Sequence, residues 1–292
     1  MIKIGRRSFL QLSLMAAASG SVRAGRWDTL APIGVQLYTV RNEVMTDLPG
    51  TLASIRKIGF TMVESFAGMH SRPAKELRSM VEDAGLKLPS AHFAYDTLES
   101  QLEYAHDLGL SYMVCAMLPR PMWNRDGFNQ AATDLNKVGA LAKAMKIKLC
   151  FHNHNFEFQP LPSVNNDAPP DPHNTGLKIL LDNTDPALVG WEEDCYWVAE
   201  GGQDSLTVLQ KNENRVAMLH LKDRKADALV TYAPGKPAQS FTEIGNGTID
   251  WGPIVRIARS AGKPMFIEQD TTAIPALESI AISYKNLQRY LA

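Results

Sequence analysis

His220, Lys222 and Asp223 stand together near the end of the run Arg-Val-Ala-Met-Leu-His-Leu-Lys-Asp-Arg (215–224). Apolar residues lead straight into a metal-competent imidazole, an ammonium and a carboxylate. That is the pattern of a buried strand whose C-terminal tip opens onto chemistry. Two other runs share it: Pro-Met-Phe-Ile-Glu-Gln-Asp (264–270), with Glu268, and Ile-Lys-Leu-Cys-Phe-His-Asn-His (147–154), with His152 and His154. Imidazoles and carboxylates converging from separate strands suit a divalent transition metal. Such an ion is a Lewis acid that can hold a carbonyl oxygen and stabilise the enediolate left when the adjacent C–H loses its proton.

The elements that must position these residues alternate in type. Strand-like runs are expected at 33–37, 61–66, 86–92, 112–117, 147–153, 215–221 and 264–268. Helices are expected from Asp47, as N-cap, to Gly59, then at 73–84, 98–108, 128–145 and 274–291. The second carries Leu77, Met80 and Val81 at helical spacing, with Gly85 as its stop. Residues 159–175, rich in Pro, Asn and Asp, read as an exposed loop. Residues 178–182 are either a strand or a short helix leading to a strand at 189–195. Alternation implies parallel pairing and right-handed crossovers. About eight such units favour a single (β/α)8 TIM barrel, residues 30–292, over an open sheet. No Gly-x-Gly-x-x-Gly follows an early strand. The Gly-rich run Glu243–Trp251 lacks the Lys-Ser/Thr of a phosphate loop and reads as a turn before the last crossover helix.

In such a barrel, function sits at the C-terminal strand ends. The candidates there are Glu64, His92, His152, His154, Asp182 or Asp194, His220 and Glu268. Lys222, one pleat from His220, shares its side; it is either a donor to a developing oxyanion or a salt-bridge partner of Asp223 or Glu243. Glu64 is either a ligand-type carboxylate or the partner of a barrel cation. His106 and His173 read as structural.

Bulk properties narrow the partners. The 292 residues are 45% hydrophobic with a net charge of −1 and an isoelectric point of about 6.7. No basic excess points to nucleic acid. Cys115, Cys150 and Cys195 are odd in number without close spacing, and read as buried small hydrophobes rather than a disulfide framework. Residues 1–24 read as a targeting segment: Arg6-Arg7-Ser8-Phe9-Leu10 resembles a twin-arginine export signal, and the apolar run after it is too short for a membrane anchor. The expected location is the periplasm. Assembly into a homo-oligomer stays open.

The ordered set of motifs resembles the xylose isomerase-like TIM barrel family of sugar phosphate isomerases and epimerases. The resemblance begins at Ile33–Arg41 and continues through Val63-Glu64, Ala91-His92, Phe151-His-Asn-His154 and Glu193-Asp-Cys-Tyr-Trp197. It ends with Leu219-His-Leu-Lys-Asp223, Gly245–Trp251 and Phe266-Ile-Glu268. It implies one divalent ion (Mn, Co, Zn or Mg) held by His152, Asp194, His220 and Glu268, with Asp194 matching the family's Asp better than Asp182. Position 152 departs from the pattern, which has a Glu there, so acid–base work by two metal-bound glutamates is in question and His154 or Glu157 could enter the site. Glu268, His152 and Lys222 are the implied catalytic residues. Glu64, His92, His154 and Trp197 are the residues expected to touch substrate, with Trp197, Trp251 and Phe66 offering an apolar floor or packing in the core. The implied activity is a metal-dependent sugar isomerase or epimerase acting by proton abstraction beside a carbonyl. The alternatives are a lyase eliminating a β-substituent from a keto-sugar or 3-keto-glycoside, and a non-catalytic sugar-binding barrel. The expected partner is a small carbohydrate.

Overall fold

Eight parallel strands close into a barrel in the order β1-β10-β7-β6-β5-β4-β3-β2. They are β1 (Ile33–Gln36), β2 (Met62–Ser65), β3 (Lys87–Phe93), β4 (Tyr112–Cys115), β5 (Lys148–His152), β6 (Val189–Asp194), β7 (Val216–Leu221) and β10 (Met265–Ile267). A two-stranded antiparallel ribbon, β8 (Asp223–Arg224) with β9 (Phe241–Thr242), follows β7. The computed structural model describes residues 32–163, 171–233 and 240–291. The expected export signal at 1–24 lies outside them. No helix among the described residues is long and apolar enough to cross a membrane.

Strand alternation sorts the side chains into two faces. Odd-numbered residues such as Val63, Leu149, Trp191, Leu219 and Ile267 pack under the helices. Even-numbered residues face the axis. Met62, Val114, Cys150, Met218 and Phe266 fill the lower interior. Gly34 belongs to the same level, and a Cβ there would collide with the Phe266 ring. Above this apolar plug the inward residues are polar on every strand but the fourth, where Ala116 stands, from Gln36 and Glu64 round to Glu268.

Helix α2 (Leu48–Ile58) shows how the outer layer is specified. Asp47 caps it, its Oδ1 accepting from Gly50 N–H at 3.0 Å, and Leu48, Leu52 and Ile55 share its buried face. Burying each of those side chains contributes about 2 kcal/mol. Gly59, at φ 124°, ends it. Helices α1 (Arg41–Thr46), α7 (Cys195–Glu200) and α8 (Ser205–Lys211) were not expected; with six or seven residues each they are too short to show a hydrophobic period. Residues 178–182 lie in α6 (Gly176–Asn183), so the helical alternative holds there. Asp182 is exposed on that helix, paired with Lys178 at 2.7 Å, and is no part of a site.

The Gly-rich run before α9 (Trp251–Ser260) is a turn folded onto one carboxylate. Asp223 accepts from the backbone N–H groups of Arg224, Gly245, Gly247 and Ile249, and from Trp251 Nε1, at 2.8 to 3.3 Å. Gly245 adopts φ 81°, and a Cβ on Gly247 would strike the Asp223 carboxylate. Trp251 is therefore core.

Cys115, Cys150 and Cys195 are free and buried. Burial pushes the Cys115 thiol up to about 12 and the other two upward as well. All three should resist a thiol-specific chromophore in the native protein and react together on unfolding; rapid labelling of the folded chain would contradict this.

Candidate active site

A cavity of about 610 Å³ opens at the C-terminal end of the barrel. His92, His152, His154, Trp197, Lys222, Glu268 and Asp270 line it, with Tyr38, Phe66 and Trp123 on its flanks. The barrel brings the four expected metal ligands together: one donor atom each from His152, Asp194, His220 and Glu268 lies within 4.8 Å of the others. His220 Nδ1 is 2.9 Å from Glu268 Oε2 and 3.9 Å from Asp194 Oδ2, and His152 Nε2 is 3.6 Å from Asp194 Oδ2.

Backbone connections explain the gathering. Asp194 and His220 are direct partners across β6 and β7, and His152 and Glu192 across β5 and β6. Asp194 also caps α7, its Oδ1 accepting from Trp197 N–H at 2.9 Å. One oxygen is thereby fixed to the helix while Oδ2 turns to the cavity side.

Lys222 sits among three carboxylates: Nζ is 3.0 Å from Asp194 Oδ2, 2.6 Å from Glu268 Oε2 and 2.7 Å from Asp270 Oδ1. These replace the expected partners, Asp223 being committed to the 245–249 turn and Glu243 to Ser279. Burial works against the ammonium, yet the three carboxylates hold its pKa well above the usual lysine value. Burial likewise opposes the Glu268 carboxylate, but Lys222 and His220 hold it ionised, well below the usual range. Asp194 goes the other way: burial outweighs Lys222 and His220 and lifts it to about 6.

A second layer lies beneath. Glu64 has no exposed surface. It accepts from Gln36 Nε2 at 2.9 Å and from Ser90 Oγ, and its Oε2 is 2.6 Å from His220 Nε2. It does not line the cavity, so the expectation that it touches substrate is corrected. His92 Nε2 lies 2.7 Å from Glu192 Oε2 and 3.3 Å from Glu64 Oε2, and its ring stacks on His220 at 5.1 Å. Despite burial, those two carboxylates raise His92 to about 10. His152 and His154 are driven down instead, chiefly by burial, His154 to about 3.

Glu192 was missed. It is fully buried, facing His152 Nδ1 at 3.1 Å and His220 Nε2 at 3.3 Å. The available signal was parity: once Asp194 is placed inward, Glu192 must share its face. Glu193, between them, turns outward under the helices. Glu157 stays out of the cavity, its Oε2 accepting from His154 N–H, and burial lifts it to about 8.

Several buried polar atoms here have no hydrogen-bond partner: Glu192 Oε1, Asp194 Oδ2, His154 Nδ1 and Trp197 Nε1. Asp194 Oδ2 is close to Lys222 without hydrogen-bond alignment. Buried anionic oxygens left this way call for a cation. With imidazole and carboxylate donors around them, they fit a divalent transition metal.

Comparison with known proteins agrees with this architecture. The sequence model described as Xylose isomerase-like TIM barrel matches residues 52–287. An inosose dehydratase from Clostridium tetani is 27% identical over 151 residues, 47% of this chain and 45% of that protein, so the chain spans about half the length of that relative. An inosose dehydratase from Geobacillus thermodenitrificans is 21% identical over 85% of this chain and 90% of its own. The crystal structure of a sugar phosphate isomerase/epimerase from Parabacteroides distasonis, 25% identical, superposes with a TM-score of 0.72 over 94% of this chain and 99% of that one.

Proposed function

The chain belongs to the xylose isomerase-like TIM barrel family, and from that premise we propose that it is a divalent-metal-dependent enzyme that removes the proton beside the carbonyl of a keto-sugar and then expels a β-substituent. The observation that carries this reading is the convergence of donor atoms from His152, Asp194, His220 and Glu268 within 4.8 Å of one another, at the wall of the cavity that Glu268 and Lys222 both line. His152, Asp194, His220 and Glu268 would hold the ion, which supplies Lewis acidity toward the substrate carbonyl when bound.

The protein's own groups then divide the work. Glu268, held ionised, takes the proton from the carbon beside the carbonyl, and its electrons pass to the carbonyl oxygen. They return to form a C=C bond as the β-C–O bond breaks. The proton on Glu268 passes to the departing oxygen on the same face, beside the Lys222 ammonium that stabilises its charge. Epimerisation would instead need an acid on the face opposite Glu268, and the other titratable groups of the cavity wall include His152 and His154. Burial holds both imidazoles neutral, so neither is a strong acid. The inosose dehydratase relatives support the elimination. The likeness to the isomerase/epimerase supports the isomerising alternative.

A panel of free and 3-oxidised sugars, incubated with the metal-loaded protein in deuterated water and followed by NMR, separates the readings. Release of a substituent with an unsaturated sugar supports elimination. Deuterium in a rearranged sugar supports isomerisation and overturns the elimination step, and no change with any sugar favours a binding protein.

Trp197 and His154 line the cavity, and Trp197 Nε1 and His154 Nδ1 are buried there without a hydrogen-bond partner, polar atoms that a seated sugar hydroxyl would satisfy. Trp197→Phe keeps an aromatic wall and loses the donor. It should raise KM about fivefold to tenfold, the worth of one hydrogen bond, with kcat little changed; an unaltered KM would remove Trp197 from substrate recognition. The periplasm is the proposed compartment, on the Arg6-Arg7 pair. Replacing both by lysine should leave the protein in the cytoplasm, and continued export would refute the twin-arginine route.

A further inference from the structure

We propose that the β-substituent expelled by this protein is an aromatic or similarly flat apolar alcohol, seated on a platform of Tyr38, Phe66, Met117 and Trp123 across the barrel mouth from Glu268. The proposal rests on the elimination reading above and names the half of the substrate which that reading leaves open.

The cavity is divided. The polar side chains His154, Trp197, Lys222 and Glu268 reach it from β5, β6, β7 and β10. The lining that follows β1, β2 and β4 is apolar: Tyr38, Phe66, Met117 and Trp123, with Ala67 and Ala116. His92 also reaches the cavity, from β3, but its Nε2 is engaged by Glu64 and Glu192. In the ring of eight strands β4 stands directly opposite β10. A substituent that departs beside Glu268 therefore has Met117 and Trp123 across the mouth. At about 610 Å³ the cavity lies in the range that takes drug-sized ligands, roughly 300–1,000 Å³. A lone sugar ring held by the polar groups would leave the platform wet.

The rings are fixed in advance. Trp123 stacks on Phe156, with centroids 3.8 Å apart and planes at 10°. Tyr38 meets Phe66 edge to face at 5.4 Å, and the Arg41 guanidinium lies 4.3 Å from the Tyr38 centroid. A Cβ on Gly68 would approach the Phe66 ring to 2.5 Å, so glycine leaves that ring its room. Rings held this way lose little freedom on meeting a flat partner. Tyr38 is nevertheless 39% exposed and Met117 44%, apolar surface that a ligand would take out of water.

The chemistry of the platform selects the partner. Trp123 Nε1 donates to Leu118 O at 2.9 Å, so this tryptophan offers its ring alone, whereas Trp197 Nε1 is unpaired. A second sugar would set hydroxyls against Ala67, Ala116 and Met117, where they lose water and gain no partner. An aromatic ring needs none. It gains offset or edge contacts with the platform rings and contact with the adaptable Met117 thioether. In a 3-oxidised glycoside the carbon beside the ketone carries the proton and the next carbon carries the substituent. Glu268 takes that proton, the C=C bond forms between the two carbons as the C–O bond breaks, and the aromatic alcohol leaves with the proton on its oxygen.

Three 3-oxidised glucosides, benzyl, methyl and glucosyl, test this on the metal-loaded full chain, with alcohol release followed by NMR. Benzyl alcohol and methanol are leaving groups of similar basicity, so their ratio reads recognition. Wild type should favour benzyl over methyl about tenfold in kcat/KM, the scale of one buried aromatic contact. Trp123→Ala should bring that ratio toward one. If its loss from Phe156 prevents folding, Met117→Asp decides, because Met117 is exposed; the ratio should fall there too. Saturation transfer from the metal-free protein should reach the phenyl protons of the benzyl glucoside more strongly than its sugar protons. Equal kcat/KM for benzyl and methyl in wild type would overturn the platform and leave the elimination standing. A preference for the glucosyl compound would overturn it in favour of a second sugar, and a benzyl preference unchanged in both variants would overturn the residue assignment. Release from none of the three would overturn the elimination itself and the proposal with it.

Discussion

Glu268→Gln should lower turnover about a thousandfold while the barrel stays folded. The amide keeps the shape of the side chain but has no lone pair basic enough to take a carbon-bound proton, and a positioned base is worth 10²–10⁴ in rate. It also removes one of the four donors of the proposed metal site. Stability should suffer less than breaking a buried ion pair normally implies, because Lys222 retains Asp194 and Asp270 within 3.0 Å. Steady-state kinetics together with thermal unfolding checks both halves. Full activity in the variant would remove Glu268 from the chemistry; loss of fold would make it structural.

Asp223→Ala should destabilise the protein by about 4 kcal/mol. The carboxylate collects four backbone N–H groups and one indole N–H, and hydrogen bonds to a charged acceptor are worth about 1.5–3 kcal/mol each, without full additivity. Trp251 is fully buried, so its Nε1 is stranded when the acceptor goes. The glycines of the turn are more open and can find water. Asp223→Asn should be nearly as damaging, because its amide nitrogen points a donor at other donors. Denaturant unfolding measures the loss, and a change under 1 kcal/mol would show that the turn holds without this hub.

The barrel was legible because its strands carry strong period-two patterns. Runs such as 215–222 place His220 and Lys222 on one face and Leu219 and Leu221 on the other without any tertiary information. The convergence of His152, Asp194, His220 and Glu268 followed once the strands were ordered. Glu192 was hidden because Glu-Glu-Asp (192–194) shows no polarity alternation, its outward member, Glu193, being as acidic as its inward ones. The burial of Glu64 depends on Gln36 and His220 reaching it from other strands, which local sequence does not carry. The partners of Lys222 could not be read for the same reason: Asp194 and Asp270 are close only because β6, β7 and β10 adjoin in the barrel.

The account depends on a divalent ion seated among His152, Asp194, His220 and Glu268. Anomalous diffraction from crystals grown with cobalt or manganese, recorded on either side of the metal's absorption edge, tests it most directly. The expected map has a peak bordered by Asp194 Oδ2, Glu268 and His152 Nε2, with Lys222 displaced toward Asp270. A map with no peak at the barrel mouth, and Lys222 still bridging Asp194 and Glu268, would contradict the metal-dependent mechanism.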